Sequence, residues 1–191
     1  AERDRPLVLQ DANNISAPSA PQVSPRRDLL LSSGIQRVEI LRGPQGLMYG
    51  ADAGGVVNIS TIAPQDGLTG NLSAEGGRYG SQQFAGNLGG GNGTVDFNLS
   101  VVDYETDGFN ARTTDNVLRD DDGYDNTTLH GRFGWNVTDD LRLSLVGRNI
   151  DGTNEVDSCF TADTGSPTDN CKDENDQTAW RVAADYELGH F

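Results

Sequence analysis

From about residue 65 onward, apolar and polar residues alternate with a period of two, which is the signature of β-strands. The alternation predicts six strands, each close to the roughly 9 to 11 residues that a tilted strand needs to cross a bilayer. The clearest strand places Val95, Phe97, Leu99 and Val101 on one face. The alternating positions of the other five strands lie at 68–74, 84–88, 127–137, 141–145 and 180–188.

The links between these strands differ in length in a regular way. Residues 89–94 and 138–140 predict tight turns, whereas 107–125 and 151–177 are long, polar and rich in Asp. Apart from a brief link at 76–80, short and long links alternate, as they do in a transmembrane up-and-down barrel with short periplasmic turns and longer extracellular loops. A water-soluble sandwich has the same period of two, so the period alone does not separate the two architectures.

The first part of the chain is irregular and contains several prolines. Short β-branched bursts at 38–40 and 56–59 predict short strands of a small mixed domain. We therefore expect two regions, a small domain at 1–64 and a region of regular strands at 65–191.

Charge and hydropathy exclude some classes of protein. The 14 Lys and Arg against 29 Asp and Glu give a net charge of −15, which repels phosphate backbones, so no nucleic-acid partner is expected. No run approaches the roughly 18 apolar residues of a membrane helix, which excludes helical spans but not a barrel. The first residues lack the apolar core of a signal peptide, so we expect the chain to be mature or to lack its beginning.

Residues 35–59 read IQRVEILRGPQGLMYGADAGGVVNI. From these residues alone, Val38, Ile40 and Leu41 predict a buried strand, Gly43-Pro44 predict the turn that ends it, and the later glycines allow conformations or close packing denied to larger residues. The segment resembles the end of the plug domain of TonB-dependent outer-membrane receptors, which reads roughly I-E-R-V-E-V-L-R-G-P, then Y-G, then G-G-V-[IV]-N-I. Residues 5–11 are similar to the plug strand that usually ends in Asp-Gly, with Ala12 in place of the Gly. The matching residues, for which we expect a structural role, are Arg42, Gly43, Pro44, Tyr49, Gly50, Gly54, Gly55 and Asn58.

The resemblance implies a mainly β fold. The expected architecture is a partial plug, itself a small α+β domain, followed by about six antiparallel strands of a transmembrane barrel of about 22 strands. Six strands cannot close such a barrel, and open edges would leave backbone groups unpaired in lipid, so we expect the chain to be an excerpt.

The resemblance also implies a function, partners and a location. It implies import of a scarce, bulky nutrient, a ferric siderophore or cobalamin, through the outer membrane of a Gram-negative bacterium. The implied partners are outer-membrane lipid, that nutrient and the TonB–ExbB–ExbD complex that supplies the energy. No enzyme is expected, because no catalytic group of His, carboxylate and nucleophile is visible. The alternative is a soluble β-sandwich that acts as an adhesion or carbohydrate-binding module.

Three groups of residues are candidate sites. Asn13, Asn14, Ser16 and Ser19 resemble an apical plug loop whose amides and hydroxyls could hydrogen-bond a ligand, although an unspecialised surface loop fits equally well. Cys159 and Cys171 are expected to form a disulfide in an oxidising compartment, within the second long loop. The acidic residues Asp120, Asp121 and Asp122 could bind Ca²⁺, but they lack the EF-hand spacing and a solvated acidic loop is favoured. No other cofactor is expected.

Overall fold

A computed structural model describes residues 7–11, 13–14, 35–41, 55–63, 66–110, 121–157, 159–161, 163–168 and 171–188. Within these ranges every regular element is a β-strand, and the strands form three sheets of four, six and two members. The same ranges contain no helix of the length and hydropathy needed to cross a membrane.

The four-stranded sheet near the amino terminus is mixed. It contains β1 (Leu7–Gln10), β2 (Asn13–Asn14), β3 (Ile35–Leu41) and β4 (Val56–Thr61), in the order β2-β1-β4-β3. β1 runs parallel to β4, and the other pairs are antiparallel. No helix of the expected α+β plug lies among the described residues, so that part of the expectation stays a prediction.

The prediction of a buried strand at 38–41 is wrong. Val38 is 52% exposed and Ile40 is 63% exposed. β3 forms the edge of its sheet. Ile35, at the start of β3, packs against the small core of Val8 and Ile59. The β-branched residues correctly predicted a strand, but strand propensity does not decide which face is covered.

The six-stranded sheet is an antiparallel meander in which every strand pairs with its neighbour in sequence. Chain order is interrupted once, by a two-stranded hairpin of β10 (Cys159–Phe160) and β11 (Pro167–Thr168). This meander confirms the six predicted strands. Its members are β5 (Gly67–Gly76), β6 (Gln82–Gly91), β7 (Val95–Phe109), β8 (Asp122–Asn136), β9 (Leu141–Val156) and β12 (Cys171–Tyr186).

The long links are shorter than the sequence predicts. β9 continues to Val156 and β12 begins at Cys171, so polar segments expected to be loops form a paired ladder in which Asp151 lies opposite Asp176 and Glu155 opposite Lys172. In this part of the six-stranded sheet both faces are polar. The alternation of hydrophobicity therefore disappears while the backbone hydrogen bonds continue, and hydropathy alone misplaces the strand ends.

The six-stranded meander, which we call the wall, has two faces of opposite polarity. One face displays exposed apolar side chains, including Leu72 at 90% and Trp180 at 73% exposure. The other face, which we call inward because it lies against the amino-terminal sheet, buries polar side chains beside a few apolar ones. The most buried polar members are Asn98, Asn126, Thr128, His130 and Arg148. A polar interior with an apolar exterior is the arrangement of a membrane barrel wall and the opposite of a water-soluble sandwich.

The inward face also contains an ion pair that spans three strands. Nη2 of Arg142 on β9 lies 2.6 Å from Oδ2 of Asp96 on β7. The two side chains meet over Gly134 of the intervening β8, where a Cβ would collide with the guanidinium group. Gly134 therefore leaves the space in which this pair forms.

Candidate functional site

Asp11 occupies the turn after β1 in a conformation that is uncommon for residues other than glycine. Its φ is 46°, in the left-handed region. The chain reverses here so that Gln10 can pair with Asn13 of β2, and the Asp11 amide donates a hydrogen bond to the Ile59 carbonyl at 2.9 Å. Backbone strain of this kind persists where the surroundings fix it, and it commonly marks functional positions.

The Asp11 carboxylate joins both sheets. Its Oδ1 accepts a hydrogen bond from the Thr61 amide at 3.0 Å, and its Oδ2 accepts one from the Thr61 hydroxyl at 2.7 Å. The same Oδ2 lies 2.9 Å from Nε2 of His130 on β8, and the two side chains are only 8% and 3% exposed. One buried carboxylate therefore connects the ends of β1 and β4 to the inward face of the wall.

The surroundings of Asp11 favour its charged form. Burial raises the pKa of the Asp11 carboxyl, but the close contact with His130 and the hydrogen bonds from Thr61 outweigh that effect and hold the pKa below its ordinary value. Arg148 lies directly across from His130 in the β8–β9 register, is 7% exposed and interacts electrostatically with Asp11. We call Asp11, Thr61, His130 and Arg148 the Asp11 junction.

A cavity of about 520 Å³ lies beside the junction, between the amino-terminal sheet and the wall. Arg132, Val146 and Arg181 stand side by side on three neighbouring strands and form part of its lining. Within the part of the chain that the structure describes, Arg132 and Arg181 form no ion pair or hydrogen bond through their side chains. We call this cavity the basic pocket; its lining also includes Asp11, Arg37, Ser60, Thr61 and Ser144.

The structure describes only part of the predicted plug motif and apical loop. Asn58 donates from Nδ2 to Oε2 of Glu39 on the neighbouring strand at 3.1 Å, and Gly55 has a φ of 89° that favours glycine. Asn13 and Asn14 form β2, next to the junction. The roles predicted for these residues stay predictions, and the following candidates lie outside the described residues: Ser16, Ser19, Arg42, Gly43, Pro44, Tyr49, Gly50 and Gly54.

The predicted disulfide between Cys159 and Cys171 is confirmed, with a Cα–Cα distance of 6.4 Å. Cys159 begins the β10–β11 hairpin, and Cys171 begins β12 opposite Val156. The bridge thus ties the hairpin to the rim where the longer links lie. At this rim, Nζ of Lys172 lies 3.0 Å from Oε1 of Glu155.

The calcium prediction is not tested by the geometry. Asp120 lies outside the described residues, and Oδ1 of Asp121 accepts a hydrogen bond from the Asn110 amide at 3.2 Å. In the ranges that the structure describes, no three His, Cys, Asp or Glu side chains form a metal-binding group.

The sequence did not identify the Asp11 junction or the basic pocket. Asp11 was recognised as the end of a strand, but its partners are far away along the chain. A signal was present, because arginine and histidine recur on the inward positions of three neighbouring strands in a chain of strongly negative net charge. These residues are His130, Arg132, Arg142, Arg148 and Arg181.

Comparison with known sequences finds transport receptors. The vitamin B12 transporter BtuB of Photobacterium profundum is 36% identical over 132 residues, which cover 68% of this chain and 22% of that protein. The rhizobactin receptor of Rhizobium meliloti is 29% identical over 168 residues, covering 80% of this chain and 22% of that protein. The chain thus spans about a fifth of the length of either relative. No family model matches the chain.

Solved structures share the fold. The ferric enterobactin receptor of Pseudomonas aeruginosa superimposes with a TM-score of 0.70 at 19% identity, over 97% of this chain and 31% of that one. The ferripyoverdine receptor of the outer membrane of the same organism gives a TM-score of 0.61 at 14% identity, over 93% of this chain and 25% of that one. At such identities the likeness establishes the fold alone.

An antiparallel wall that is apolar outside, polar inside and in contact with a small sheet defines the class of plugged outer-membrane barrels. The sequence relatives narrow that class: the chain belongs to the TonB-dependent outer-membrane receptors. It crosses the outer membrane of a Gram-negative bacterium with β-strands, and the alternative of a soluble sandwich is wrong.

Proposed function

We propose that the whole protein imports a scarce, bulky nutrient, a ferric siderophore or cobalamin, into the periplasm. The observation that carries the proposal is the Asp11 junction, which holds a small folded sheet against the polar inward face of a barrel wall. A sheet in this position obstructs the lumen. Passage of a bulky solute then requires that the obstruction be displaced, and the energy for that step comes from the TonB–ExbB–ExbD complex in the periplasm.

The two regions of the chain take different roles in this proposal. Residues 1–64 form the end of the plug domain, and residues 65–191 form the first six strands of the barrel. Cobalamin and ferric siderophores are proposed as cargo because the relatives are named as a vitamin B12 transporter and a rhizobactin receptor, and the structural neighbours as enterobactin and pyoverdine receptors. All are too large for diffusion through an obstructed lumen.

The long-loop rim is the proposed entry side. Outer-membrane barrels place their longer loops on the extracellular side. The disulfide closes a loop of 12 residues there and stabilises its shape by about 3 kcal/mol through restriction of the open chain. We assign the first contact with cargo to this rim together with the apical segment of Asn13, Asn14, Ser16 and Ser19.

Uptake by a deletion strain tests the proposal. The full-length gene is deleted and restored on a plasmid, and uptake of radiolabelled cobalamin and of radiolabelled ferric siderophores is measured with TonB present and absent. The proposal expects one cargo to depend on both the receptor and TonB. If deletion of the gene changed the uptake of none of the tested cargoes, the proposal would be contradicted. Uptake that persists without TonB would remove the energised step.

A further inference from the structure

The basic pocket is an unusual feature of this chain. The protein has a net charge of −15, yet three arginines, Arg37, Arg132 and Arg181, line one cavity of about 520 Å³. Arg37 is compensated by Glu39, whose Oε1 lies 3.2 Å from the guanidinium group. Asp11, the acidic residue in the lining, is already engaged by Thr61 and His130. Among the described residues of the lining, positive charge therefore exceeds the negative charge that neutralises it.

Arg132 and Arg181 form a pair with one small residue between them. Both stand opposite Val146, so their Cα atoms are two strand spacings, roughly 10 Å, apart on the same inward face. Each of the two arginines is partly buried, and each side chain lacks an ion-pair partner in the described part of the chain. Two like charges held this way repel each other, and an anion between them would relieve the repulsion while accepting hydrogen bonds from both planar forks.

The rest of the lining suits oxygen-rich anions. The hydroxyl groups of Ser60 and Ser144 border the same cavity and can donate hydrogen bonds, whereas the Thr61 hydroxyl already donates to Asp11. A volume of about 520 Å³ is within the range of small-molecule sites. We propose that the basic pocket binds an oxyanion through Arg132 and Arg181, and that the cargo of this receptor carries carboxylate or catecholate oxygens with net negative charge.

The position of the pocket fits a step of transport that follows the first contact between cargo and receptor. Arg132 and Arg181 lie closer than His130 to the short turns at 92–94 and 137–140, and therefore closer to the periplasmic rim. The pocket is thus distinct from the long-loop rim, where cargo first binds. It attracts an anionic cargo as the amino-terminal sheet is displaced. The identification of the cargo rests on the proposed function, whereas binding of an anion to the pocket does not.

The first experiment measures anion binding alone. Purified full-length receptor is titrated calorimetrically with citrate, a small tricarboxylate probe, and compared with the Arg132→Gln/Arg181→Gln variant. Each lost charge-assisted hydrogen bond weakens binding by about tenfold or more, so the double variant should bind about a hundredfold more weakly. Arg142→Gln is the matched control, since that arginine faces inward on the same wall but is already paired with Asp96. No citrate binding by the unaltered receptor, or equal binding by all three proteins, overturns the pocket.

The second experiment measures transport. Cells with each variant are given a radiolabelled anionic ferric tris-catecholate, a neutral ferric tris-hydroxamate and cobalamin. The inference expects energised uptake of the anionic complex to fall about tenfold or more in the double variant, with its binding to de-energised cells unchanged. Uptake of only a neutral cargo, or of an anionic cargo at an unchanged rate, overturns the cargo inference and leaves import standing. If no cargo is imported at all, the proposed function fails, and the citrate titration decides the pocket by itself.

Discussion

Removal of the His130 imidazole should loosen the amino-terminal sheet from the wall. In His130→Ala, the Asp11 carboxylate stays buried but loses its contact with β8. Loss of a partner from a buried charged group costs about 1.5–3 kcal/mol, and the void left by the imidazole adds to that cost. The two hydrogen bonds from Thr61 and the field of Arg148 still act on Asp11, so we expect a total of about 3 kcal/mol.

Thiol labelling of the full-length receptor in urea can measure this change. Val56→Cys is the reporter, because that position is 1% exposed in β4 and should react only when the sheet opens. Val38→Cys, at a position 52% exposed, should react without urea and controls for reagent quality. The two native cysteines are bridged and do not react. With a urea dependence of about 1–3 kcal/mol per molar, 3 kcal/mol lowers the midpoint by about 1–3 M.

A double-mutant cycle separates the contact from the cavity that any truncation leaves. Asp11→Ala, His130→Ala and the double variant are compared in the same assay. If the two side chains stabilise the sheet together, the double variant should be less destabilised than the sum of the singles by at least about 1 kcal/mol. Additive effects, or a midpoint unchanged by His130→Ala, would refute the Asp11 junction as the contact that holds the two sheets.

Three further predictions concern other parts of the molecule. Gly134→Ala should displace the Arg142 guanidinium from Asp96 and lower the stability of the barrel by up to about 1 kcal/mol, whereas Gly147→Ala, whose added Cβ meets open space, should change the melting temperature little. Replacement of Cys159 and Cys171 by Ser should make residues 157–170 sensitive to brief proteolysis while the strands remain protected. Because the folded-state pKa of Asp11 is depressed, its stabilisation is present above the unfolded value near 4 and is lost as the pH falls through the folded pKa. The urea midpoints of Asp11→Asn and the parent should therefore converge below about pH 4 and stay apart at neutral pH.

The sequence predicted those features that a local pattern encodes. The alternation of Val95, Phe97, Leu99 and Val101 identified β7, and the same rule located the other five strands of the meander. Spacing and a polar context predicted the disulfide correctly. The motif at 35–59 identified the family through its order of residues, although much of that segment lies outside the described residues.

The features that the sequence did not predict depend on contacts between distant segments. The exposure of Val38 and Ile40 depends on the place of β3 at the edge of its sheet, which no local pattern records. The extension of β9 to Val156 depends on a partner strand that continues beyond the apolar zone. The meeting of Asp11 with His130 depends on how two sheets pack, and a search for His, Asp or Arg motifs at fixed spacing cannot find it.

The composition of the interface between the two sheets bears directly on the proposed transport. An apolar interface would be stabilised by about 25 cal/mol for each Å² of apolar surface removed from water. Contact with water would not replace that stabilisation when the two surfaces separate. Beside apolar side chains such as Val146, the described interface contains a carboxylate, a hydroxyl, an imidazole and guanidinium groups, all of which water can hydrogen-bond. Among the described residues, the buried contact between the Asp11 carboxylate and the His130 imidazole holds the sheet at rest, and displacement of the sheet exposes polar groups that water can hydrogen-bond. This combination is what an energised, repeatedly opened obstruction requires.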